Sequence, residues 1–450
     1  MKRISILLLL AFMSFSSCDW DDVPEETPLT ILAGLTSATQ RNFAVFAATE
    51  ATLFGSITMQ QVSGISGRML HIEQYQWLPG YFDQSWRVCY LGVFSNLTTA
   101  IELATQNNLG KYRGTSKILL AHTLGIASDL WGDIPFSDSF DSRPPSLNPR
   151  YDSQQAIYER IFRLLDEGIQ DVAAYGSEFF PAEDDLFFNG NALMWTRYAN
   201  FLKLRYRLHL LDKNGIEPVF ELLQNNMFTN PGQALVLDYG TMKVQNPLNQ
   251  LLDQFPGQVR AGGFLVDLLQ GQNDPRLPVY FQKNVLNQFL GSAPGAGNAN
   301  ASRISETINS AGSKVILASY TEQMFIAAEV YYRKGLMNQA RQALSEAVSS
   351  SLTDYNVYNA AWVQNHLATT GLTLENIMLA KYSALFMQTQ SWNDWRRTGL
   401  PLLQAAAGNQ TSGLIPRRFP YPLNELTHNP NNVPANVKIT DPVWWNTQSK

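Results

Sequence analysis

The sequence predicts a mostly α-helical domain of paired helices joined by long irregular loops. Three observations predict it. Several segments place apolar residues three and four apart, the spacing of one helix face. Few segments alternate apolar and polar residues, so no large sheet is expected. Long stretches rich in Pro, Gly, Asn and Ser interrupt the helical run at 133–150, 284–313 and 408–450. Stretches of that length in a compact domain are usually functional or disordered.

The first 17 residues read as a targeting segment. Lys2 and Arg3 precede a mostly apolar run, Ile4 to Met13, and then Ser14 to Ser17, small apart from Phe15. The apolar run is far shorter than the roughly 20 residues needed to span a bilayer. Phe15-Ser16-Ser17-Cys18 resembles the bacterial lipobox, with Phe15 where Leu is usual, so Cys18 is the expected lipidation site. Residues 18–29 then form an acidic, Pro-containing tether, and 30–450 the folded domain. No run of 18 or more apolar residues follows, so no later span is expected. Lipid on Cys18 would leave Cys89 without a partner, and its apolar neighbours suit a buried, inert thiol. Removing Lys2 and Arg3 takes the formal charge from −5 to about −7. With no basic patch, the balance argues against nucleic acid as a partner.

Within the domain, a helical hairpin is expected from 84–106 and 115–130. Ile157, Ile161, Leu164, Leu165 and Ile169 mark one helix face, with Asp152 or Ser153 as cap. Residues 192–211 are apolar nearly all round, which predicts burial. The clearest pair is 320–334, ending at Gly335, and 336–350, with Ala340, Ala343, Leu344, Ala347 and Val348 on one face. Two short helices, one tight turn and alanines at close contact are the tetratricopeptide pattern. A fourth pair starts at 374–390. No strict 34-residue period survives, so the repeats are degenerate.

Five segments then carry a family resemblance. They are Trp131-Gly132-Asp133-Ile134-Pro135-Phe136, the run from Trp195 to Arg205, Asp274-Pro275-Arg276-Leu277, Glu322 to Gly335 with Ala327-Ala328-Glu329 inside it, and Trp392-Asn393-Asp394-Trp395-Arg396-Arg397 followed by Pro416 to Pro422. In this order they resemble the SusD/RagB family of outer-membrane nutrient-binding lipoproteins, in its SusD-like branch. The acidic tether is similar to the one that marks surface-exposed lipoproteins in Bacteroidetes. The resemblance implies four tetratricopeptide-like helix pairs in one domain. It also implies a partner, a SusC-type TonB-dependent transporter to which the protein hands glycans or peptides, on the outer face of the outer membrane. The signature residues themselves read as structural. Trp131, Trp195 and Tyr198 should pack between helices, and Arg197, Arg205, Arg396 and Arg397 should pair with carboxylates such as Asp133, Glu329 or Asp394. Asp274-Pro275-Arg276 should be a capped turn.

Sugar recognition needs flat aromatic faces for ring C–H groups, with amides and charged groups for the hydroxyls, on an accessible loop. The stretch 71–84 fits this best. It offers Tyr75, Trp77 and Tyr81 around a Pro-Gly break, with Arg68 just upstream. The alternatives are that the aromatics pack a helix onto the domain and that Arg68 makes a surface ion pair. A second candidate is the loop 284–303, with Asn287 and Phe289, although a mobile solvent loop is the favoured reading there. Trp444 and Trp445 suit a pocket cover or a docked C-terminal segment. Catalysis has little support. His71, His122, His209, His366 and His428 are scattered, and His209 should be a satisfied core histidine. No opposed carboxylate pair stands out. No residue is assigned to catalysis, to a metal or to a cofactor. A surface-anchored glycoside hydrolase is the rival reading.

Overall fold

The computed structural model describes residues 27–446, apart from 143, 145 and 175–181. Cys18 and most of the expected tether lie outside them. The first helix, Pro28–Ala48, starts inside the stretch assigned to the tether. The Thr27 hydroxyl caps it by accepting from the Thr30 N–H at 3.2 Å, and Pro28 fits the first turn, where no N–H is needed. Helix Glu50–Thr58 follows, with all of its residues buried.

The expected hairpins are present. A continuous helical segment, Pro79–Gln106, contains a wide π-type stretch at Val88–Phe94 and ends in the α-helix Ser95–Gln106. By length and composition it is apolar enough to cross a membrane. Here, however, it lays Trp86, Cys89, Val93, Phe94 and Leu97 into the core and leaves Arg87 and Glu102 exposed. Burial pushes the Cys89 thiol well above its ordinary pKa, consistent with an inert side chain.

Ser95–Gln106 packs on Gly110–Trp131, which packs in turn on Gln154–Ala173, and that helix on Ala192–His209. Gly114 and Gly168 permit the closest of these approaches. A Cβ on Gly114 would sit 2.8 Å from the Gly168 carbonyl oxygen, so neither position can carry a side chain without moving a helix. Ser153 caps Gln154–Ala173, as the sequence suggested. Tyr320–Arg333 and Met337–Asp354 form the tightest hairpin, turning at Gly335 in the left-handed region. Leu374–Ala384 and Gln390–Thr398 complete the series.

Among the described residues the sheet content is two antiparallel ribbons. Val62–Gly64 pairs with Val259–Ala261, and Ala234–Asp238 with Lys314–Ser319, with a register irregularity at Leu235/Val236.

The signature charges are buried and internally paired. Arg205 grips Glu322 at 2.6 and 2.8 Å, Arg276 grips Asp274 at 2.5 and 2.9 Å, and Arg397 grips Glu329 at 2.5 and 2.6 Å while also reaching Asp394. Asp274 also caps its turn by accepting from the Arg276 N–H. Two expected pairings are corrected. Among the described residues Arg396 makes no ion pair with a carboxylate; it donates to the Asp129 and Arg417 carbonyls. Arg197 bonds Asn226, and Asp133 accepts from the Gln154 N–H. His209 is satisfied in the core by Tyr158 and Gln390. Trp445 closes over it, with ring centres 4.9 Å apart, and its indole N–H donates to Asp129 at 2.8 Å.

Candidate functional site

The stretch 71–84 divides between core and surface. The short helix Gly67–Glu73 is capped by Gln74 and followed by Tyr75, held at φ +60°, and the chain then passes inward. Trp77 is only 7% exposed. Its ring lies among Phe82, Trp392 and Phe419, at centroid distances of 5.5 to 6.1 Å, and its indole N–H donates to the Ile72 carbonyl. Tyr75 is also buried, and its hydroxyl accepts from the Ala406 N–H. Burial raises its pKa to about 12. Both rings, expected at the ligand surface, are buried instead: Trp77 packs the loop against the Trp392 helix, and Tyr75 ties it to the backbone at Ala406.

Tyr81 behaves differently. The tight turn Pro79–Phe82 carries it back to the surface, where it is half-buried. Arg68 lies over the ring, 4.6 Å from its centroid, and also within 5.3 Å of the Phe255 ring centre. Two contacts hold the guanidinium there, Glu50 at 2.9 Å and the Tyr81 carbonyl at 2.6 Å. The exposed His71 reaches the Tyr81 hydroxyl at 3.2 Å. Arg68 therefore makes the expected ion pair and braces an aromatic at the same time.

Phe255 continues the surface into an open groove of about 340 Å3, at the small end of ligand pockets (about 300–1,000 Å3). Leu252, Val259 and Ile304 supply apolar walls, and Asp253, Asn309, Arg260 and Arg303 supply polar groups. The ribbon of Val62–Gly64 with Val259–Ala261 ties this groove to the Gly67–Glu73 helix. The Gln258 carbonyl accepts from the Ile65 N–H at 2.8 Å, beside that ribbon. Sequence reasoning missed Phe255, Arg260 and Arg303. The signal was present, since Phe255-Pro256-Gly257 sets an aromatic beside a Pro-Gly break, as Pro79-Gly80-Tyr81 does.

Asn287 and Phe289 sit apart from this cluster. Asn287 is exposed at φ +59°, and Phe289 is half-buried, with its carbonyl accepting from Gln270. No described contact joins them to Tyr81 or Arg68. Beside them, Val285 and Leu286 are 92% and 68% exposed.

Two other cavities have less suitable walls. One of about 340 Å3 lies beside the strand Lys314–Ser319, but its Phe386 ring is stacked on Tyr280 at 4.4 Å. Another, of about 420 Å3, sets Leu402, Leu403, Leu414 and Ile415 beside Trp395, Arg396 and Arg417, but Arg396 is already engaged with the Asp129 and Arg417 carbonyls.

The family model for SusD-like proteins, described as "Starch-binding associating with outer membrane", matches residues 24–422. The chain belongs to this SusD-like family. Solved SusD-like structures share the fold. A chitin-binding protein is similar at TM-score 0.80 and 22% identity, covering 93% of this chain and 100% of its own. A SusD/RagB family protein from Bacteroides thetaiotaomicron is similar at TM-score 0.78 and 21% identity, covering 94% and 100%. A chitin-binding SusD homologue from Flavobacterium johnsoniae is similar at TM-score 0.76 and 18% identity, covering 93% and 98%. No curated protein matches the chain.

Proposed function

We propose that this SusD-like protein captures glycans at the cell surface and passes them to a SusC-type TonB-dependent transporter, without cleaving them. The observation that carries the reading is the Tyr81–Arg68–Phe255 surface opening into a groove, in a chain whose family is described as starch-binding. A sugar ring stacks on the aromatic edge of this surface, and Asn309 and Asp253 meet its hydroxyls. Two of the solved relatives are named as chitin-binding, which supports a glycan over a peptide. Lipid on Cys18 holds the protein on the outer membrane, in keeping with the association in the family description. Asn287 and Phe289 lie on a loop with exposed apolar neighbours, and that favours a transporter-side contact over a ligand one.

The test is calorimetric titration with chito- and malto-oligosaccharides, with the products analysed afterwards. Binding without released shorter sugars is expected, and Tyr81→Ala should weaken it about tenfold, or ~1.4 kcal/mol, with the fold intact. Released sugar would overturn the binding-only reading in favour of a surface hydrolase. Unchanged affinity in Tyr81→Ala for a proven ligand would remove the site from this face.

A further inference from the structure

The groove beside Phe255 holds two guanidinium groups that make no ion pair among the described residues. Arg260 is half-buried, and its only described hydrogen bond goes to its neighbouring carbonyl, Val259, at 2.9 Å. Arg303 is exposed and makes no ion pair among the described residues. The carboxylate lining the same groove, Asp253, accepts from Gln245 at 3.0 Å and bridges neither arginine. Burial lowers the pKa of Arg260, and the positive charge of Arg303 lowers it further. The two cations thus face one cavity and repel each other. Elsewhere, Arg205, Arg276 and Arg397 are each closed by a carboxylate.

We propose that this groove takes an acidic sugar, a uronate or a sulfate ester, with Arg260 and Arg303 gripping the anionic group and Phe255 supporting the ring. This rests on the glycan-binding reading and deepens it. The chemistry suits the class. A guanidinium fork matches a carboxylate or sulfate in two-point geometry and releases little water. An anion between two like charges also relieves their repulsion. Asn309 adds a neutral donor, because its side-chain oxygen is occupied by Asn249 at 3.0 Å and its amide nitrogen is free of described partners.

The experiment titrates the purified protein with matched glycans: oligogalacturonate against its methyl ester, and sulfated against desulfated chondroitin oligosaccharide. The acidic member of at least one pair should bind about tenfold tighter at low salt. That preference should collapse near 1 M NaCl, where screening acts over about 3 Å. Arg260→Gln and Arg303→Gln should each remove most of the preference while sparing neutral binding. Arg303 is exposed, so its variant keeps the test valid if Arg260→Gln folds poorly. Equal affinity within both pairs, or a preference that survives both substitutions, overturns the acidic-sugar proposal and leaves glycan binding standing. If no oligosaccharide binds, neutral or acidic, the glycan reading itself fails and this proposal falls with it.

Discussion

The helical layer and the loop face treat charge in opposite ways. In the helical layer Glu329 is fully buried between Arg397 and Arg333. On the loop face Glu73 is 2% exposed and makes no ion pair among the described residues. Burial alone pushes both carboxyls up. For Glu329, Arg397 and Arg333 outweigh burial and bring its pKa down to about 2. For Glu73, the nearby Ser63 hydroxyl and Gly295 backbone offset burial only in part, and the pKa stands at about 7. Arg260 and Arg303 repeat the contrast with the opposite sign. Charge that holds helices together is satisfied from within. The loop-face charges Glu73, Arg260 and Arg303 make no ion pair among the described residues.

The strongest way to break this contrast is Arg397→Met. It leaves Glu329 and Asp394 buried with reduced compensation, and should cost about 3–5 kcal/mol in urea unfolding. Loss of under about 1 kcal/mol would mean the helical pairs are not the fastening described here. A subtler probe is pH. The raised Glu73 pKa contributes stability that is fully present below about 4.5 and lost as pH rises through about 7. Glu73→Gln should therefore gain about 3 kcal/mol at pH 8 and almost nothing at pH 4. Glu329 has the reverse sign. Its lowered pKa contributes stability present above about 4.5 and lost as pH falls through about 2. A flat wild-type-minus-variant difference between pH 4 and 8 would show that Glu73 meets an unseen cation. The smallest effect belongs to Arg303→Gln, which should change stability by less than about 0.5 kcal/mol, because nothing folded depends on it.

The amphipathic helices were legible because one face meets the core and the other meets water. Ile157 to Ile169 mark such a face, and the structure places them in Gln154–Ala173. The helix Glu50–Thr58 was not legible, because burial on every side leaves no polar stripe to read. The ribbons were hidden for another reason. Val62–Gly64 is three residues long, and its partner lies far along the chain at Val259–Ala261. In the candidate site, composition identified the segment but not the ring. Trp77 and Tyr81 are equally aromatic and flank the same Pro-Gly break. Only the inward passage after Tyr75 and the turn at Pro79–Phe82 decide that one packs and the other faces out.

The Trp445 contact bears on how the chain is made. Asp129 sits in the first third of the sequence, buried, and shares its carboxylate among Tyr158, Asn393 and the indole of Trp445. Two of those three partners come from the last quarter of the chain. A chain that has formed only its first helices therefore carries an acidic group with two of these hydrogen bonds still missing. Its N-terminal half can collapse early, but the packing around Asp129 is complete only when Asn393 and Trp445 are in place. Until then the half-built core stays open to whatever escorts the chain.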